Sequence, residues 1–370
     1  MRRPLLGLGL LLAAAAGLGA ACAPAPAPAP PAAAPAPAAP AIPPPAPAAP
    51  VIPEASAART AQLYEAAKKE GKVLLYTTGT TREADDYKKP FEAKYPGVEV
   101  EYFTGTSEEI VNRFMAEARA GKTLGDMIVM TLGGGWTSLL KEGQIGKYLS
   151  PELKNYPSDG FHPEGLYAYE NYSVYVIAYN TTLVSEAEAP KSYTDLLKPQ
   201  WKGKIGVEQA PVEWFVNMQK WMGREKAVEF FKQLAPLAQL RSGHTTVYEL
   251  VQAGEFVASP TIYQHRAQQG MEQGAPVKWV APNPTFVFPR AAGITKSAPH
   301  PNAAQLFMDW RLSEEGQQVV VKQKRVPTRN GVFPEPRSLK EGVNFFPADV
   351  SVYEALEKEE KVLRDIFGVF

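Results

Sequence analysis

Hydrophobic and polar positions alternate in a regular rhythm from residue 60 onward. Residues 60–70 have helical spacing through Leu63, Ala66 and Ala67, and Gly71 suits a helix stop. KVLLYTT at 72–78 is an apolar run of the buried-strand type, and the polar turn TTGTT (77–81) overlaps its end. Residues 83–95 return to helical spacing, with Tyr87, Phe91 and Tyr95 four apart, and Pro96-Gly97 ends them. VEVEYF (98–103) alternates like a strand, and Ser107 can cap a helix over 108–120 whose apolar face is Ile110, Val111, Phe114 and Met115. DMIVMT (126–131) is a third strand, followed by TLGGG (131–135) and a helix over 137–142. This β-loop-α repetition predicts an open, mostly parallel sheet, in which ligands bind beyond the carboxyl ends of the strands. The turns at 77–81 and 131–135 occupy such ends.

The second half varies the theme. Residues 167–184 read as two strands rich in Tyr and Val. KIGVEQ (204–209) is a strand, followed by helices over 212–222 and 225–235. Residues 242–255 form a capped helix with a polar start, 255–262 a strand, 263–273 a helix and 277–282 an extended segment. Helices over 302–322 and 352–367 close the chain, and there is no internal repeat.

The N-terminus breaks the pattern. Arg2 and Arg3 precede an apolar run over 5–18, then small residues and Cys22, the one cysteine of the 370 residues. That order reads as a signal peptide over 1–21, too short and wrongly flanked for a membrane span. Residues 23–53 are almost pure Ala and Pro, with too few large apolar residues to offset the cost of ordering a chain. As extended polyproline II, some thirty residues at about 3.1 Å each would reach roughly 90 Å, a semi-rigid stalk. The chain as a whole has globular composition, 45% hydrophobic and 21% charged, with 39 basic and 39 acidic residues. Without a basic excess, nucleic acid is not the expected partner. One cysteine permits no internal disulfide and no paired-cysteine metal site.

LGAAC (18–22) resembles a bacterial lipobox, which implies lipidation of Cys22 and a membrane anchor. The region from about 60 to 370 resembles the extracellular solute-binding proteins of bacterial ABC importers, nearest the iron(III)-type branch. The resemblance rests on residues 72–105, SVYVIAYNTTLV (173–184), KPQWKGKIGVEQ (198–209) and residues 298–332 with their Ser-Glu-Glu-Gly and Val-Pro-x-Arg ending. It implies an α/β, two-lobed type II periplasmic-binding-protein fold. Each lobe is a mostly parallel sheet flanked by helices, and two crossing strands near 173–179 and 280–289 join them. The implied organisation is signal peptide 1–21, lipidated Cys22 and stalk 22–53, first lobe 54–172, second lobe 173–289 and a first-lobe return over 290–370. The implied protein is a lipid-anchored monomer of the bacterial cell envelope. It would clamp a small-molecule or ion ligand and deliver it to a permease and ATPase complex, without a cofactor.

Within that frame, Tyr76, Thr78, Gly79 and Thr80 follow or end the first strand. Hydroxyls and free backbone N–H groups there suit an anion, or form an ordinary capping turn. Thr131, Gly133 and Gly134 offer the same choice between close backbone approach and a tight turn. In the second lobe the candidates are Glu208 and Gln209 at a strand end, Ser242 and Thr245 at a helix start, and Tyr263. Arg290 is a candidate partner for an acidic ligand or a surface residue. Iron-binding relatives place two adjacent tyrosines where this chain has Tyr263-Gln264, so a polar or anionic solute is the first expectation and ferric iron, through Tyr263, the alternative. Catalysis lacks a signature: there is no G-x-S-x-G, no H-E-x-x-H, and His162, His244, His265 and His300 are scattered. A sensor lipoprotein or a transferase on the same fold is the remaining alternative.

Overall fold

The computed structural model describes residues 50–209, 211–348 and 356–368. The expected leader, Cys22 and the Ala/Pro-rich stretch up to residue 49 lie outside them. The first lobe opens with α1 (Ala57–Glu70), β1 (Lys72–Thr77), α2 (Thr81–Lys94), β2 (Glu99–Thr104), α3 (Ser107–Arg119), β3 (Met127–Thr131) and α4 (Gly134–Lys141). β4 (Ala168–Asn180) leads to β5 (Ile205–Glu208), α5 (Val212–Met222), α6 (Arg224–Leu234), β6 (Ala238–Arg241), α7 (His244–Ala253), β7 (Ala258–Tyr263), α8 (Gln264–Glu272) and β8 (Val277–Val280). The chain returns through β9 (Thr285–Ile294), α9 (Pro301–Leu312), α10 (Glu314–Lys322), β10 (Val326–Pro327) and β11 (Phe345–Pro347), and α11 (Leu356–Phe367) follows.

β1 lies between β2 and β3, parallel to both. β9 then adds antiparallel to β3, with Thr131 opposite Arg290, and β4 adds antiparallel to β9. β4 is one strand of 13 residues rather than the two expected. Its first half pairs with β9, while Tyr175 to Asn180 pair with β7 and β8, so a single strand belongs to both sheets. In the second sheet β5 is parallel to β6 and β7. Each lobe therefore keeps a parallel core and takes its antiparallel members from the crossing segments. β6, whose AQLR is short and only half-buried, was not expected from the sequence.

Both sheets are covered on two faces. Val73 and Leu75 of β1 face α1, α2 and α9, packing with Phe91, Phe307 and Trp310. Leu74 and Tyr76, on the opposite side of the pleat, pack with Ile110, Phe114 and Trp136 under α3 and α4. The second lobe buries Trp214, Phe215 and Phe231 on one face and Val247, Ile262 and Ala267 on the other.

Two departures from expectation have local causes. The expected helix over 302–322 is broken at Ser313, whose hydroxyl caps α10 through the Gly316 amide at 3.3 Å. The break needs a glycine at 316, since a Cβ there would meet the Trp310 and Arg311 carbonyls at 2.2 and 2.5 Å. The C-terminal helix, expected with the first lobe, packs on α5 and α6 of the second. Leu363 joins that lobe's core, and Glu359 bonds Arg224 and Gln219.

Candidate ligand-binding cleft

A cleft of about 670 Å³ lies between the lobes where strands end and helices begin. On the first-lobe wall the central group is Arg290 of β9. Its guanidinium donates to Thr77 Oγ1 at 2.6 Å, Thr78 Oγ1 at 2.7 Å and the Val129 carbonyl at 3.3 Å. The turn after β1 thus holds the arginine, and Thr77 Oγ1 also accepts the Gly79 amide at 3.0 Å. Beside it Arg325, preceding β10, donates to Glu83 Oε1 at 2.7 Å. The other Glu83 oxygen accepts the Thr80 amide at 2.8 Å, completing a capping box on α2. Both arginines are nearly inaccessible, 8% and 7% exposed, yet both line the cleft.

The electrostatics follow from this packing. Burial would raise the Glu83 carboxyl, but the Arg325 and Arg290 guanidiniums outweigh it and hold Glu83 far below the usual range. Burial and the neighbouring Arg325 push Arg290 down. His265 is held neutral by burial and Arg325. Behind them Arg311 pairs with Glu170. Three guanidiniums thus face two carboxylates, and the wall carries one uncompensated positive charge.

Helix starts reinforce it. The cleft is lined by Gly133 and Gly134 at the start of α4, by Thr106 and Ser107 at the start of α3, and by Gly243 and His244 at the start of α7. α4 and α7 have no side-chain cap, so their first N–H groups are left for a ligand or water.

The second-lobe wall has the opposite character. Glu208 ends β5, Glu213 lies in the first turn of α5, and Tyr263 ends β7. His244 donates from Nδ1 to the Thr261 carbonyl at 2.8 Å, leaving Nε2 to accept the Tyr175 hydroxyl at 3.1 Å. Burial keeps this imidazole neutral. The Tyr263 ring packs against His244 and His265, with centroids 4.6 and 5.5 Å away. Among the described residues, neither the Tyr263 hydroxyl nor the Glu213 carboxylate has a hydrogen-bond partner. Burial, then Glu208, pushes the Glu213 carboxyl up to about 7. Burial and Glu213 likewise raise the Tyr263 phenol.

Of the residues singled out from the sequence, the fold brings Thr78, Thr131, Gly133, Gly134, Glu208, Thr245, Tyr263 and Arg290 to the cleft. Tyr76 is not there. It is fully buried on the α3 side of the sheet, where its hydroxyl donates to Glu117 Oε1 at 2.6 Å and accepts from Arg113. Thr80 is spent on capping α2, and Gly79 lines a small internal cavity behind Arg290. Gln209 lines a separate small pocket against α11, and Ser242 is exposed outside the cleft lining. The sequence reading missed Glu213 and Arg325 as cleft residues, and it read a helix start at Ser107 without placing it in the cleft or recognising Thr106 as the cap. For Thr106 a signal existed, since Thr-x-x-Glu at 106–109 is a capping box. Among the described residues no group of three or more His, Cys, Asp or Glu side chains could hold a metal ion. Gln264, beside Tyr263, donates to the Leu339 carbonyl and is buried away from solvent. No helix among the described residues is long and apolar enough to cross a membrane.

A family model described as bacterial extracellular solute-binding protein matches residues 125–349. An Fe(3+)-binding periplasmic protein of Serratia marcescens is 26% identical over 159 residues, 39% of this chain and 46% of that protein. The chain spans less than half the length of the curated relatives it matches. Among solved structures, AfuA of Actinobacillus pleuropneumoniae with fructose-6-phosphate bound gives a TM-score of 0.70 at 22% identity, covering 81% of this chain and 99% of the other. Iron-bound HitA of Pseudomonas aeruginosa gives 0.67 at 21% identity, covering 80% and 99%. At these identities the structural likeness speaks for the fold.

Proposed function

The chain belongs to the bacterial extracellular solute-binding proteins, and from that premise we propose that it captures a small organic oxyanion, such as a phosphate ester or phosphonate, for an ABC importer. The observation that carries the ligand class is Arg290. It is a nearly inaccessible guanidinium held by two threonines and a carbonyl, in a wall with one surplus positive charge and open helix starts. Charge-assisted bonds from a fixed guanidinium and from helix N-termini are the usual means of holding such a group. The fructose-6-phosphate in AfuA supports the same class. Closure of the lobes around the solute is the working motion. Residues 1–21 then direct secretion and Cys22 carries the lipid anchor. The Ala/Pro-rich stretch spaces the binding region from the membrane of the cell envelope. The protein acts as a monomer that hands its solute to a permease and ATPase complex, and it binds rather than transforms it.

Native mass spectrometry of the purified mature domain tests this reading. A co-purifying phosphorus-containing or other anionic organic solute is expected. A metal ion alone would sink it. Ferric iron is the second reading, favoured by the Tyr263 phenol, which has no hydrogen-bond partner among the described residues, and by the Serratia relative. It predicts a visible phenolate-to-iron band with ferric citrate, whereas the first reading predicts a colourless protein.

A further inference from the structure

The two walls of the cleft differ in charge, and the difference reaches further than the oxyanion. The basic side chains lining it, Arg290 and Arg325, both belong to the first lobe. The second lobe contributes Glu208 and Glu213, and Glu360 of α11 stands at the same side. Glu360 is already paired with Arg364 at 2.5 Å. Glu213 is different. It is half-buried in the wall, is unpartnered among the described residues and lies near a second carboxylate, Glu208. The nearby groups do not compensate it. His244 is neutral with its proton committed to Thr261, and Tyr263 is a protonated phenol whose hydroxyl has no partner among the described residues. A carboxylate taken from water without a partner is costly, and natural proteins keep such a group where something else completes it.

Resting on the oxyanion reading above, we propose that the solute is a zwitterion. Its oxyanion head lies against Arg290 and Arg325, and a protonated amine at its other end lies against Glu208 and Glu213 beside the Tyr263 ring. The ammonium group supplies the missing donors and the missing charge at once. The Tyr263 ring offers it a π face of the kind cations prefer. A neutral polyol would donate hydrogen bonds to Glu213 but leave its charge uncompensated.

The test is isothermal titration of the ligand-free protein at pH 7.5 with three probes: phosphoethanolamine, glycerol 3-phosphate and inorganic phosphate. Phosphoethanolamine should bind at least about tenfold more tightly than glycerol 3-phosphate, the scale of one charge-assisted bond to a buried partner. Glu213→Gln should remove most of that advantage, lowering the affinity for phosphoethanolamine by a larger factor than that for glycerol 3-phosphate. Glu208→Gln, as a second variant, should narrow the ratio in the same direction. Equal binding of the two esters, or a ratio unmoved by both variants, overturns the inference while leaving the oxyanion reading in place. If none of the three probes binds, the oxyanion reading has failed and the zwitterion falls with it.

Discussion

Glu213 offers a test that needs no ligand. Its carboxyl is pushed from 4.5 to about 7 by burial first and by Glu208 second. The folded value is raised, so this group's contribution to stability is fully present below about pH 4.5 and is lost as pH rises through about 7. The facing groups are Glu208 on β5, Tyr263 on β7 and the neutral His244 on α7. The interval between the two values corresponds to about 3 kcal/mol at full ionisation, less whatever solvent screening reaches the half-buried side chain. Glu213→Gln keeps the shape and removes the charge. The ligand-free variant should therefore be more stable than wild type at pH 8, by roughly 5–10 °C in Tm if one lobe unfolds as a unit. At pH 5 most of that gain should vanish, because the wild-type carboxyl is then protonated in the folded state. Differential scanning calorimetry of both proteins at the two pH values makes the measurement. An equal gain at both pH values would show that the amide acts through packing or a new hydrogen bond. A loss at pH 8 would show that Glu213 is already well partnered. Either result would refute the argument that the empty cleft holds an uncompensated charge.

Arg290→Met should weaken phosphate-ester binding by about 100-fold or more, the loss of two charge-assisted bonds, and titration showing less than a tenfold drop would remove Arg290 from the site. Its ligand-free Tm should move by only a few degrees, because relief of the repulsion from Arg325 offsets the lost bonds to Thr77 and Thr78. Tyr263→Phe should weaken solute binding by about five- to tenfold while leaving the Tm of the empty protein unchanged, since its hydroxyl bonds nothing among the described residues; unchanged affinity would exclude the hydroxyl from recognition. Gly206→Ala should destabilise by about 2–3 kcal/mol in urea, because the new Cβ would lie 2.2 Å from the fully buried ring of Phe256; a neutral result would mean the second-lobe core can shift.

The elements were legible because their signals are local. The apolar run of β1 and the four-residue spacing of Tyr87, Phe91 and Tyr95 each sit inside one element. The break at Ser313 was not read: a serine followed by two glutamates and a glycine is a cap signal, but the continuous apolar spacing around it masked it. What could not be read was the side of the pleat. Tyr76 and Thr78 are two residues apart, yet Tyr76 lies in β1 and turns into the α3 core while Thr78, just past the strand's end at Thr77, turns to the cleft. Nor could pairing across distance be read. Arg325 meets Glu83 across 242 positions and Arg290 meets Thr78 across 212, and no periodicity carries such information.

Charge shows the same division most clearly. A chain with 39 basic and 39 acidic residues has no net field to exploit, and composition alone points away from any strongly charged partner. Folding sorts those charges by wall. Arg290 and Arg325 come from the return segment after β8, whereas Glu208 and Glu213 flank the start of α5. The cleft brings them face to face, with the neutral His244 on the second-lobe side. Net charge is a sum over the whole surface, while recognition depends on the few groups that exclude water together. A balanced sequence can therefore hold a strongly polarised site, and a solute with opposite charges at its two ends is the one such a site holds best.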